Sequence, residues 1–165
     1  MLNGGFEQWV KDPRPVNAGL LDVTLSQYPV RANADTFTVT AATVLEAVRL
    51  KTAVIIDVRP VEYFLGTKSN EARAGHIPGA VNRPYTEDIQ TSDTVTTFKP
   101  VADLAAAYAR LIPSKATRVI VHCRTGHQAS QTVFVLKHLL GYENVQWYDG
   151  SWSEWAARLD IPIEL

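Results

Sequence analysis

The 165-residue sequence holds a single cysteine, Cys123, in the run VIVHCRTGHQAS. A lone cysteine is most often a small buried hydrophobe. Here three features of its surroundings argue for chemistry. RVIVH at 118–122 is a short apolar run that reads as a buried strand, so Cys123 falls at its carboxyl end with the sulfur facing a loop. Gly126 lets that loop curl until successive backbone N–H groups point inward, an arrangement that binds anions. The helix expected over 129–140, stopped by Gly141, aims its positive end at the same spot. With Arg124 alongside, such a loop stabilises a thiolate, the nucleophilic form of cysteine.

The elements that must position this loop alternate in type. AVIID at 53–57 reads as a second buried strand, after a helix capped by Thr40 with Val44, Leu45, Val48 and Leu50 on its apolar side. A short helix with Pro60 in its first turn follows, then a turn, HIPGAVNRP at 76–84, feeding a short strand. Residues 86–99 are polar and Thr-rich and read as an exposed loop; 100–111 read as a helix begun by Pro100. A strand at 145–148 and a helix over SWSEWAARL close the chain. Strands alternating with helices imply a parallel sheet covered on both faces, which binds ligands beyond the carboxyl ends of its strands. Asp57-Val58-Arg59 and the stretch from Cys123 both lie there.

Composition narrows the function. A net charge of -1 gives no broad field to attract nucleic acid or an anionic membrane. One cysteine excludes an internal disulfide, and with only scattered histidines beside it no metal site is expected. No apolar stretch is long enough to span a bilayer. No signal peptide is seen, which makes the cytoplasm the expected compartment unless residues precede Met1.

The motifs DVRP…ARAGHIPGAVN, HCRTGHQ and VQWYDGSWSEW, in that order, resemble the rhodanese-type sulfurtransferases over about residues 38–165. The beginning of the chain, LNGGFEQW, resembles the same C-terminal signature in decayed form. Asn3-Gly4-Gly5-Phe6 meets Asp149-Gly150-Ser151-Trp152, Trp9 meets Trp155, and Pro15 and Pro162 follow at nearly equal distance. Residues 1–36 are therefore expected to be a remnant of a preceding rhodanese domain plus a linker, punctuated by Pro13, Pro15, Gly19 and Pro29, and 37–165 the catalytic domain. A missing first domain or a second copy is the expected cover for the face this leaves open.

The resemblance implies a three-layer α/β/α domain around a central parallel five-stranded sheet. It also implies a thiosulfate sulfurtransferase that needs no cofactor and works through a cysteine persulfide. Cys123 is then the nucleophile and persulfide carrier, and Arg59 and Arg124 bind the donor anion. Backbone N–H groups of Arg124, Thr125, Gly126, His127 and Gln128 hold the sulfur, Thr125 and Gln128 are further substrate contacts, and Asp57 supports Arg59. Arg124 matches thiosulfate enzymes, whereas Thr125 stands where those often carry a second basic residue, and Gln128 where Arg, Ser or Thr is usual. The mercaptopyruvate reaction thus stays open, as does a catalytically weak module serving as sulfur carrier or interaction domain.

Cysteine-dependent phosphatases also begin their loop with His-Cys, but the arginine that follows after five intervening residues and clamps the phosphoryl group is replaced here by Ala129. His76 reads as a turn-fixing residue, His122 as packed and His138 as solvated. Lys68, Arg73 and Arg83 are cations that a positive rim around the site would use. Trp147, Trp152 and Trp155 read as packing aromatics, with Trp152 and Trp155 also candidates for the pocket wall.

Overall fold

Side chains on the two central strands alternate between two cores, and that alternation builds the domain. In the computed structural model, which describes residues 2–20, 22–27 and 37–165, β1 (Val54–Asp57) and β5 (Val119–His122) lie side by side. Ile55 and Ile120 point to one face, where α2 (Ala41–Leu50) and α6 (Ser151–Ala157) supply Ala41, Val44, Ala47, Trp152 and Trp155. Ile56, Val119 and Val121 point to the other, against Leu104 and Tyr108 of α4 (Val101–Ala109) and Val133 of α5 (His127–Phe134). Each fully buried aliphatic side chain contributes roughly 1.5–3 kcal/mol. Two apolar faces per strand are why these strands read as continuous apolar runs.

The sheet is parallel, in the order β2-β1-β5-β6, with β2 at Val81–Asn82 and β6 at Val145–Trp147. Four strands thus stand where five were expected. The fifth place is marked by a single parallel bridge, Thr38 beside Trp147, and the chain just before Phe37 lies outside the described residues. Thr40 does cap α2, accepting from the Thr43 amide at 3.3 Å, whereas Leu50 is exposed rather than apolar-facing. Short α3 (Val61–Phe64) follows Pro60 as expected.

The Thr-rich stretch 86–99 is not an exposed loop. It forms an antiparallel hairpin, β3 (Ile89–Ser92) with β4 (Val95–Phe98), in which Thr91 faces Thr96 across the strands. Its root is the fully buried Asp88, which accepts from the Tyr108 hydroxyl, from Thr132 at 3.2 Å and from Arg83 at 2.8 Å. Burial beside that carboxylate pushes the Tyr108 hydroxyl pKa far up, so it stays a donor. Arg83, spent here and over the Tyr108 ring, is no part of a rim.

Helix α1 (Gly5–Lys11) repeats the local geometry of α6. Both are seven residues long and both begin at a left-handed residue, Gly5 at φ 62° and Ser151 at φ 52°. The Trp9 indole donates to the Pro15 carbonyl at 2.9 Å, and that of Trp155 to the Pro162 carbonyl at 2.8 Å. Burial separates them. Trp152 and Trp155 are buried, whereas α1 buries no residue and leaves Leu2, Phe6 and Val10 exposed. It rests on the hairpin through Asn3, which accepts from the Phe98 amide, and Lys11, which pairs with Asp93. Residues 14–20 and 22–27 carry no helix or strand, in keeping with a linker, while Pro29 lies outside the described residues.

These two tryptophans give a direct comparison. Trp155→Phe leaves a void and an unpaired Pro162 carbonyl, and should cost about 2–3 kcal/mol in urea unfolding. Trp9→Phe should cost less than about 0.5 kcal/mol. Equal losses would mean that α1 is as much a part of the core as α6.

Candidate active site

The register of β1 on β5 sets Asp57 beside His122, so the segments that follow, with Arg59 and with Cys123, leave the sheet next to each other. The four residues from Cys123 to Gly126 connect β5 to α5, which starts at His127, two residues earlier than its sequence pattern suggests. They are held from the β6–α6 corner. The Cys123 amide donates to Ser151 Oγ at 3.1 Å, and the Trp152 amide donates to the Cys123 carbonyl at 3.0 Å. Ser153 donates twice to the Arg124 carbonyl, through its amide at 2.9 Å and its hydroxyl at 2.8 Å. The Trp147 indole donates to the Gly126 carbonyl at 3.1 Å.

Gly126, at φ 82°, has no room for a Cβ, which would overlap the carbonyl and carboxylate of Asp149. Among the described residues, the backbone N–H groups of Arg124 to Gln128 donate to no protein acceptor. Five successive donors at the start of a helix are what an anion nest requires.

Asp57 holds Arg59 through side chain and backbone. Its carboxylate accepts from the Arg59 amide at 3.0 Å and from Nε at 3.0 Å, and pairs with Nη2, while Nη2 also donates to the Gly75 carbonyl at 2.8 Å. The guanidinium lies 4.5 Å from the Trp152 ring centroid. Asp57 is fully buried and Arg59 only 3% exposed, so the pair is held by these extra bonds as well as by charge. His122 is buried behind them, with Nδ1 3.2 Å from the Cys123 carbonyl and Nε2 3.7 Å from Asp57 without a hydrogen bond. Burial, with Arg59 adding to it and Asp57 opposing it, lowers the His122 pKa, and the ring is neutral.

A cavity of about 230 Å³ opens above this pair, with Arg59, Tyr63, Glu71, Arg124, Gln128 and Trp152 in its wall. Three sequence-predicted contacts therefore meet in one place: Arg59, Arg124 and Gln128. Cys123, only 1% exposed, is not part of this wall, and neither are the exposed Thr125 and His127. Glu71 escaped the sequence reading, because a polar run such as KSNEAR carries no periodicity to single it out. Arg73 is not a rim cation. It caps α6, donating to the carbonyls of Trp155, Ala156, Arg158 and Ile161. His76 ties the turn to the C-terminus, bonding the Phe64 carbonyl and pairing its backbone with Glu164.

The family model described as a rhodanese-like domain matches residues 40–158. The chain belongs to this family. Curated relatives of this rhodanese-like domain include a putative thiosulfate sulfurtransferase of Mycobacterium leprae, 34% identical over 100% of the chain and 61% of the relative. A thiosulfate sulfurtransferase of Corynebacterium glutamicum is 32% identical over 99% and 56%, and the sulfur carrier protein TtuD of Thermus thermophilus 33% over 99% and 60%. The chain thus spans about three-fifths of the length of these relatives. Among solved structures, a 3-mercaptopyruvate sulfurtransferase from Leishmania major superposes with a TM-score of 0.78 at 23% identity, over 98% of this chain and 44% of the other. That likeness is one of fold.

The neutral buried His122 sets a pH dependence. Its pKa is lower folded than unfolded, so the unfolded chain takes up a proton first as pH falls. The stability that comes from keeping the ring neutral is complete above roughly pH 6.5 and is lost below it, by at most about 1.4 kcal/mol per pH unit. His122→Asn should flatten the fall in unfolding free energy between pH 6.5 and 5, read from urea titrations. An unchanged slope would remove His122 as its source.

Proposed function

We propose that this domain is a sulfurtransferase that moves a sulfane sulfur from thiosulfate to an acceptor such as cyanide through a persulfide on Cys123. The observation that carries the reading is the row of five unspent N–H groups beside the one cysteine, held in shape by the β6–α6 corner. The Cys123 thiolate attacks the outer sulfur of thiosulfate. The new S–S bond forms as the old one breaks, and its electron pair leaves with sulfite. Cyanide then attacks the terminal sulfur, departing as thiocyanate and returning the thiolate. Loop N–H groups from Arg124 to Gln128 stabilise the anionic persulfide, Arg59 and Arg124 receive the sulfonate oxygens, and Gln128 donates from the cavity wall. Thr125 and His127 contribute their backbone N–H groups rather than side chains in the wall.

The names of the relatives support this class of reaction, and Arg124 favours thiosulfate among the donors. The test is thiocyanate formation with thiosulfate and 3-mercaptopyruvate in parallel. Turnover should favour thiosulfate, vanish in Cys123→Ser and fall at least tenfold in Arg124→Gln. Preference for mercaptopyruvate would reassign the donor, and a stable persulfide that passes its sulfur only to a protein would make the domain a carrier.

Residues 2–12 belong, on this reading, to the end of a preceding domain of the same family, with the linker after them. Support comes from the matched geometry of α1 and α6 and from the extra length of the relatives. The face that Trp152 and Trp155 bury in α6 corresponds in α1 to exposed Phe6 and its neighbours, and the body of that preceding domain is its natural cover. The isolated chain should bind an apolar fluorescent dye, and Phe6→Ser should cut that binding severalfold. A strictly monomeric chain that binds no dye would count against it.

A further inference from the structure

Glu71 places a carboxylate in the cavity wall, directly on the cation that the donor needs. Its Oε1 accepts from Arg124 Nε at 2.6 Å and lies 3.2 Å from the Ser153 hydroxyl, whose one proton it shares with the nearer Arg124 carbonyl at 2.8 Å. The side chain is 18% exposed, against 50% for Arg124. The backbone that carries the carboxylate is pinned on both sides. Two residues on, Arg73 is fixed by four bonds to backbone carbonyls around the end of α6, and the Glu71 amide itself donates to Ser69 Oγ at 3.1 Å.

Both guanidinium groups in the wall are therefore already matched, Arg59 by Asp57 and Arg124 by Glu71. An entering anion meets paired charges and gains little net Coulomb attraction. The share of that cancellation owed to Glu71 is a repulsion of the anion at close range, and it scales with the charge of the ligand. A dianion feels twice what a monoanion feels.

We propose that Glu71 is a specificity-determining residue of this cavity, weakening the hold on doubly charged sulfur donors relative to singly charged ones. The inference rests on the sulfurtransferase reading for the identity of the donors, and on the Glu71–Arg124–Ser153 geometry for everything else. Glu71→Gln tests it cleanly, because the amide oxygen keeps an acceptor for Arg124 and Ser153 while the charge is removed.

In Glu71→Gln the KM for thiosulfate, a dianion, should fall about tenfold, and that for 3-mercaptopyruvate, a carboxylate monoanion, about threefold, the square root expected when repulsion scales with charge. The change in kcat should be smaller than the change in KM. Glu71→Asp, which keeps the charge, should keep the wild-type ratio of the two KM values. Raised ionic strength should shrink the gap between wild type and Glu71→Gln, since both groups are partly exposed.

A second measurement separates this inference from the reaction itself. Calorimetric binding of intact thiosulfate to Cys123→Ser, with and without Glu71→Gln, needs no turnover. A tightening in the double variant that is larger for thiosulfate than for 3-mercaptopyruvate, bound in the same way, upholds the role of Glu71 even where wild-type protein turns over neither donor. Binding or KM that is unchanged, weakened, or improved equally for both donors overturns it and leaves Glu71 as a residue that only orients Arg124.

Discussion

The hydrogen bond from the Cys123 amide to the Ser151 hydroxyl is the joint on which the site hangs. It requires Ser151 to adopt a left-handed backbone at φ 52°, a conformation that costs a non-glycine residue about 1–2 kcal/mol. Glycine would remove that cost and the hydroxyl with it. The hydroxyl donates to the Tyr148 carbonyl at 2.8 Å while accepting from Cys123, so it fixes the corner and the loop together. Because Ser151 starts α6, its neighbours fall into place in turn. Trp152 lies under the Arg59 guanidinium, and Ser153 reaches both the Arg124 carbonyl and the Glu71 carboxylate. Three consecutive residues thereby set the Cys123 loop and both cations of the cavity.

Helices α1 and α6 separate what local sequence encodes from what packing supplies. A left-handed start, a seven-residue helix and an indole bonded to a proline carbonyl all recur in α1, although its sequence differs and none of its residues is buried. Turn chemistry and one short-range hydrogen bond suffice for the shape. Fixing it against the loss of chain entropy takes burial, which α6 has through Ser151, Trp152, Trp155 and Ala156.

What could be read from the sequence follows the same division. The central strands were legible because burial on both faces leaves an unbroken apolar run, and the site loop because Cys123 and Gly126 sit at a strand–helix junction with a fixed geometry. The link between Asp57 and Arg59 was legible for a similar reason, being only two residues long. Partners distant in sequence were not. Asp88 joins Arg83 to Tyr108 and Thr132, and Arg73 reaches more than eighty residues to the end of α6, yet each looks like an ordinary surface charge in its own neighbourhood. The hairpin was missed for its threonines, which read as polar loop until Thr91 and Thr96 are seen to pair across the strands.

Charge in the site is divided between two kinds of donor, and the division has a consequence for the proposed chemistry. Guanidinium groups in the wall come with carboxylates that cancel most of their field. Backbone N–H groups of the loop come with none, because a peptide dipole needs no counterion to be buried. In the proposed reaction an anionic persulfide on Cys123 would rest on donors that carry no counter-charge of their own, while the hold on an incoming donor would depend on a balance that one side chain can tip. The two tasks of a sulfurtransferase, keeping a persulfide and choosing its donor, then rest on different atoms. On the proposed reading, a change at Glu71 alters the second while leaving the first intact.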